Sequence, residues 1–113
     1  MSLAIRFQAE TVRSLAFGSI GAGYTGVGTA MTRPIRLIVI QNFTDASLMF
    51  SFDGVNDHLP LQASGYIILD ITSNKTIPQG FFLAEGQRLY TKQLSGAPTS
   101  GSAYLSTFYG AEL

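Results

Sequence analysis

Residues 35–52, IRLIVIQNFTDASLMFSF, decide the fold class. They contain two runs of apolar and β-branched residues, Ile35–Phe43 and Leu48–Phe52, and the residues between them begin with Thr44-Asp45-Ala46, which is typical of a turn. The second run alternates, so its first, third and fifth residues share one face of a strand. The first run is apolar throughout its middle, which predicts a central strand buried on both faces. The stretch therefore indicates β structure.

Runs of the same kind recur along the chain, separated by Gly, Pro, Asn, Asp or Ser. They cover residues 4–8, 11–20, 35–43, 48–52, 58–61, 65–72, 88–93 and 102–109, with a shorter run at 81–83. Pro60 restricts its run to an edge strand, and residues 65–72 are expected to form a second buried strand. Short strands at regular spacing are typical of a sandwich or barrel. The sequence predicts one all-β domain over residues 1–113, an antiparallel, jelly-roll-like β-sandwich of about eight strands.

The composition limits the classes of partner. Seven Lys and Arg balance seven Asp and Glu, so the net charge is zero and the basic surface needed by a nucleic-acid binder is not expected. No apolar run approaches the roughly 20 residues that span a bilayer, and we expect neither a signal peptide nor a membrane partner. Charged residues make up 12% of the chain, about half the usual share. A neutral, lightly charged surface favours self-association or coverage by another protein.

A scan for dinucleotide-binding motifs finds one match, Gly21–Gly26, which fits G-x-G-x-x-G and is followed by Asp45 at a suitable distance. The mechanism requires a helix that begins at the glycines and holds the pyrophosphate. A helix here would contain Gly28 and end before Pro34, barely two turns long. We therefore interpret residues 18–32 as a flexible Gly-rich loop that becomes ordered against a neighbouring subunit, with no cofactor.

The other polar residues form no catalytic or metal-binding pattern. The chain has no cysteine, and Asp53–Asp57 lacks the spacing of a calcium loop, so we interpret it as a structural turn. His58 is the only histidine, and its neighbour Asp57 would point to the opposite face of a strand. A hydrolytic triad is not expected. We predict no catalytic, cofactor-binding or metal-binding residues.

The aromatic residues allow two interpretations. Tyr66, Tyr90, Tyr104, Phe108 and Tyr109 could line a sugar-binding face. The alternative, which we favour, places the phenylalanines in the core, with the tyrosines at its margin where their hydroxyl groups stay hydrated. The phenylalanines assigned to the core are Phe50, Phe52, Phe81, Phe82 and Phe108.

Contacts with other subunits are assigned to six residues and two segments. Arginine is enriched at interfaces because its planar guanidinium binds a carboxylate in two places. The predicted interface residues are Tyr24, Arg33, Arg36, His58, Arg88 and Lys92. The predicted contact segments are an N-terminal arm, residues 1–10, and the Gly-rich loop, residues 18–32. Deleting residues 1–10 is expected to leave the sandwich folded.

Five segments together resemble small virion structural proteins of tailed bacteriophages. The segments are IQNFTDA (40–46), FSFDGVNDH (50–58), LDITSN (69–74), GQRLYTKQ (86–93) and PTSGSAYLSTFY (98–109). Within that group, the chain is most similar to the jelly-roll capsid decoration, or cement, proteins of short-tailed phages. The resemblance implies a protein without catalytic residues that forms homo-oligomers on the capsid exterior and clamps neighbouring major capsid subunits.

The sequence therefore predicts a non-enzymatic phage virion protein, made in the host cytoplasm, whose partners are its own copies and the major capsid protein. One alternative is a tail, neck or fibre-adaptor subunit with the same fold. Another, of a different class, is a carbohydrate-binding β-sandwich module.

Overall fold

The computed structural model describes residues 5–70 and 86–112, which form nine strands and one turn of 3-10 helix. The strands are β1 (Ile5–Ala9), β2 (Arg13–Ala16), β3 (Thr25–Gly26), β4 (Leu37–Asn42), β5 (Leu48–Ser51), β6 (Leu59–Leu61), β7 (Tyr66–Asp70), β8 (Tyr90–Gln93) and β9 (Ser102–Glu112), and the 3-10 helix is Phe17–Ser19. The predicted all-β sandwich is confirmed. The strand predicted at 81–83 lies outside the described residues.

The strand order is that of a jelly roll. The large sheet has the order β1-β9-β4-β7, and β2 continues the β1 edge along the other half of β9; the small sheet has the order β3-β8-β5-β6. The antiparallel pairs β2–β9, β3–β8, β4–β7 and β5–β6 are nested, as in one long hairpin rolled into a barrel-like sandwich. Residues 43–47 cross from the large sheet to the small sheet.

The core lies between the two sheets. Ile38 and Ile40 of β4 and Leu105 of β9 face Leu48 and Phe50 of β5, and all five are almost fully buried. The alternation in β4 and β9 decides which side chains enter this core, because successive residues of a strand point to opposite faces. In β9, Ala103, Leu105 and Thr107 are buried, and the residues between them, Tyr104 and Ser106, lie half-buried on the other face.

Two predictions about burial are wrong. β4 is central, as expected, but only one of its faces is buried, and Leu37, Val39 and Gln41 are half-buried on the other. β7 is an edge strand whose Tyr66 and Ile68 are exposed. Both strands are apolar on two faces, and an apolar outer face cannot be distinguished by sequence from a second packed face.

The Gly-rich stretch 18–32 packs on its own chain, so its interpretation as a flexible loop is wrong. Ile20, Val27 and Met31 are buried in the core, although glycines surround them. Backbone hydrogen bonds hold the same segment: the N–H of Val27 donates to the carbonyl of Leu89, 2.8 Å away. β3 begins where the dinucleotide motif would need a helix. A contact between this segment and a partner stays a prediction.

A buried ion pair between Glu10 and Arg13 holds the end of the Gly-rich stretch 18–32 against the large sheet. Arg13 Nη1 lies 2.9 Å from Glu10 Oε1, with both side chains only 7% exposed, and Arg13 also donates to the carbonyls of Thr29 and Ala30. Burial alone would raise the pKa of Glu10, but hydrogen bonds from Thr32, Thr107 and Arg13 outweigh it and hold the pKa below its usual value.

The predicted N-terminal arm is in part a strand of the sandwich. Ile5–Ala9 pairs with β9 over its whole length, and Glu10 neutralises Arg13. Deleting residues 1–10 would remove both, so the expectation that the fold would tolerate this deletion no longer holds. Residues 1–4 lie outside the described residues.

Candidate functional site

The outer face of the large sheet is apolar and exposed. It carries Phe7, Leu37, Val39, Gln41, Phe43, Tyr66, Ile68, Tyr104, Ser106 and Phe108, with one acidic residue, Asp70, opposite Leu37 at its end, and we call it the outer face. Phe7 is 69% exposed, Phe43 55%, Tyr66 66% and Ile68 56%. These side chains lie on the side of the sheet that points away from the core, and the small sheet does not cover them; Leu37, Val39 and Gln41 are half-buried among their neighbours on the face.

Cross-strand register arranges the outer face in rows. Tyr66 on β7, Gln41 on β4 and Tyr104 on β9 are direct neighbours in one row, and Ile68, Val39 and Ser106 form the next. Aromatic contacts occur at both ends: Phe7 stacks on Phe108 with ring centroids 5.0 Å apart, and Phe43 meets Tyr104 edge-on at 5.4 Å. Phe108 therefore belongs to this face, and its predicted place in the core is wrong.

A groove of about 370 Å³ lies at one end of the outer face. It is lined by Arg6, Phe7, Arg36, Leu37, Asp70, Phe108, Tyr109 and Gly110. Close to it, the guanidinium carbon of Arg33 lies 5.0 Å from the centre of the Tyr109 ring. In the described part of the chain, Arg6, Arg33 and Arg36 form no ion pair.

The small sheet presents a different, polar outer surface. Tyr24 donates a hydrogen bond to Asp57, and Lys92 lies 3.1 Å from the same carboxylate and 4.7 Å from the centre of the Tyr24 ring. Burial and the bond to Asp57 raise the pKa of Tyr24, and the bonds from Tyr24 and Lys92 lower the pKa of Asp57. Arg88 donates to the carbonyl of Gly28 and lies over the ring of Tyr90. These groups are paired within the chain.

Ser51, Asp53 and His58 come together next to this surface, which sequence reasoning missed. These three residue types also form hydrolytic triads, but their hydrogen bonds here are not those of a triad. Ser51 is fully buried and its hydroxyl donates to Asp53 at 2.8 Å, while Nδ1 of His58 accepts the N–H of Phe52 at 3.0 Å. The lone pair that would take a proton from the serine is already occupied, so the cluster stabilises the loop.

Asp53 organises that loop as the predicted structural turn. Its carboxylate accepts the N–H groups of Asn56 and Val55, both at 2.8 Å, and these two bonds lower its pKa well below the usual value. Gly54 has φ +76°, the left-handed conformation that glycine adopts without strain. In residues 5–70 and 86–112, no three His, Asp or Glu side chains lie close enough together to hold a metal ion.

The six predicted interface residues fall into two groups. Tyr24, Arg88 and Lys92, with His58 in the adjacent loop, lie on the side of the small sheet and have partners within the chain. Arg33 and Arg36 lie at or beside the groove on the other sheet. The structure thus separates residues that the sequence grouped together, and the role of each at an interface stays a prediction.

Sequence reasoning missed the outer face as a unit. Its signal was present in Tyr66–Asp70 and Leu37–Asn42, where apolar residues occupy both alternating sets of positions.

Comparison of the chain with known protein families, curated proteins and solved structures found no match. Among the described residues, no helix is long and apolar enough to cross a membrane.

Proposed function

We propose that this protein is a non-enzymatic structural subunit of a phage virion that attaches to another virion protein through the outer face of its large sheet. In the form that the sequence resemblance favours, it is a capsid decoration, or cement, protein on the shell exterior that clamps neighbouring major capsid subunits and associates with its own copies. A tail, neck or fibre-adaptor subunit is the structural alternative.

The observation that carries this proposal is the exposed apolar character of the outer face. Four strands about 4.8 Å apart, with the two outer strands, β1 and β7, five residues long, give the face a projected area of about 300 Å². Apolar patches of that size on soluble domains commonly mark sites of protein interaction. Only 12% of the residues are charged, and the charged residues next to the patch lie at one end of it, so its middle carries no charge that would oppose association.

The first experiment measures the copy number of this chain in purified phage particles, relative to the major capsid protein, by quantitative mass spectrometry. A copy number comparable to that of the capsid protein supports a decoration role. A few per cent places the protein at the tail or neck. Absence from the particles refutes the virion proposal.

A pair of variants tests the outer face itself. Ile68→Glu places a charge in the middle of the face, and Val55→Glu makes the same chemical change at a site that is 77% exposed in the loop beside the small sheet. Both changes affect exposed side chains, so both proteins should fold. We expect I68E to be lost from particles and V55E to be incorporated normally. Equal incorporation of the two variants contradicts docking through this face.

A second candidate function is carbohydrate binding, favoured by one row of the outer face. Tyr66 and Tyr104 flank Gln41 on neighbouring strands, so their backbones are about 10 Å apart, with the amide residue between them. Aromatic rings stack on sugar rings, and an amide supplies hydrogen bonds to hydroxyl groups. Titration with sugars, followed by tyrosine fluorescence, tests this function, and the absence of any response at millimolar sugar eliminates it. Y66A should abolish a true response.

A further inference from the structure

The groove at the end of the outer face combines an apolar floor with a cationic rim. Its apolar lining, which we call the floor, includes Phe7, Leu37 and Phe108, and two exposed arginines, Arg6 and Arg36, also line it. The arginines on the small sheet and in the core are engaged: Arg88 binds a carbonyl and Arg13 a carboxylate. Arg6 and Arg36 thus differ from Arg13 and Arg88: they line the groove and form no ion pair with any described residue.

We propose that this groove binds an acidic segment of a partner protein in which a bulky apolar side chain is flanked by carboxylates. The apolar side chain would fill the floor over Phe7 and Phe108, and the carboxylates would pair with Arg6 and Arg36. A volume of about 370 Å³ lies within the range of pockets that hold a small ligand, and it accommodates one or two large side chains. This inference rests on the proposed docking role of the outer face and specifies the chemistry of what docks at its end.

Charge complementarity selects a carboxylate-bearing protein segment over a nucleic acid. Binding of a polyanion requires many cationic contacts along a surface, whereas this chain has zero net charge and only three arginines near the groove. Asp70 also lines the groove, and it is engaged in an interaction of its own. The carboxylate of Asp70 disfavours a continuous phosphate backbone in the groove, but a single carboxylate can still bind next to Arg6 and Arg36. The planar guanidinium suits carboxylate oxygens, which it binds in pairs.

The test measures binding of fluorescent synthetic peptides by anisotropy at low ionic strength. The probe has a central Asp-Phe-Asp in a Gly-Ser background, and the two control peptides carry Asn-Phe-Asn and Asp-Ala-Asp. We expect the first to bind and both controls to bind at least tenfold more weakly, because each lacks one half of the interaction. Arg36→Gln and Arg6→Gln should each weaken binding of the probe roughly tenfold. Phe7→Ser, which changes an exposed side chain, should weaken it as well.

Arg88→Gln is the matched control, because it removes the same charge from an exposed arginine on the other sheet. It should leave the affinity for the probe unchanged. Equal binding of the Asp-Phe-Asp and Asn-Phe-Asn peptides would overturn the inference, as would equal losses in R36Q and R88Q, or no binding at millimolar probe. Tighter binding of a short DNA duplex to the same arginines would also overturn it. Loss of I68E from particles combined with failure of peptide binding would refute this inference alone, whereas normal incorporation of I68E would refute the docking face.

Discussion

The buried Glu10–Arg13 pair makes the sharpest prediction about stability. Glu10→Ala leaves the Arg13 guanidinium 7% exposed and without its carboxylate. Breaking a buried ion pair by removing one partner costs about 3–5 kcal/mol. Arg13 keeps its bonds to the carbonyls of Thr29 and Ala30 and to the Thr107 hydroxyl, which places the cost near the lower end, about 3 kcal/mol. For a domain of this size, that corresponds to a fall in Tm of roughly 10 °C.

The assay is thermal and urea unfolding followed by far-UV circular dichroism, on the wild type, E10A, Arg13→Met and the double variant. The double variant removes both charges, so its cost should be smaller than the sum of the single costs, with a coupling of about 2 kcal/mol. Lys92→Met breaks the more exposed pair with Asp57 and should lower Tm several-fold less than E10A. Equal effects of E10A and K92M, or zero coupling in the cycle, would refute the reasoning.

Three further predictions concern acid, backbone space and a buried amide. The pKa of Glu10 is lowered in the folded state, so Glu10 stabilises the fold fully above the ordinary pKa of 4.5, and this stabilisation is lost as the pH falls through the folded pKa. The Tm of the wild type should therefore fall more steeply below about pH 4.5 than the Tm of E10A. Parallel curves of Tm against pH would contradict this prediction. Gly101→Ala should destabilise severely, because φ is +87° and the new Cβ would overlap the carbonyl of Phe43, whereas Gly96→Ala has open space and should be nearly neutral in the same melting assay. Asn42→Ala should lower the free energy of unfolding in urea by about 2–4 kcal/mol. It removes a fully buried amide that donates to three carbonyls and accepts two hydrogen bonds. A loss below about 1 kcal/mol would show that water replaces the amide.

The strands were predictable because their signal is local. The run at 102–109 lies within β9, and the edge strand predicted from Pro60 is β6, at the edge of the small sheet. The pairings of β9 with β1 and β4 join residues far apart in the chain, and no local pattern encodes them. For the same reason, the prediction of a buried strand is wrong for β7: the sequence of Tyr66–Asp70 does not differ between a strand whose outer face is packed and one whose outer face is exposed.

The candidate site was partly predictable. Arg33 and Arg36 were singled out from residue type alone, and the structure places them at or beside the groove. Arg88 and Lys92 have the same residue types, but their carbonyl and carboxylate partners lie far away in sequence, so their engagement could not be foreseen. Burial of Arg13 had a signal that was overlooked, since it shares a strand face with the core residue Leu15 and has Glu10 three positions before it.

The two outer surfaces of the sandwich differ in what they contribute to the isolated chain. On the side of the small sheet, Asp57 accepts a hydrogen bond from Tyr24 and forms an ion pair with Lys92, so these polar groups need no partner from another chain. On the large sheet, Tyr66 and Ile68 gain little from folding because they keep more than half of their surface in water. An apolar face of this kind adds little to stability and promotes association, and its free energy is realised only when another surface covers it. If the proposed attachment is correct, substitutions at Tyr66 and Ile68 should change attachment while leaving the unfolding free energy almost unchanged.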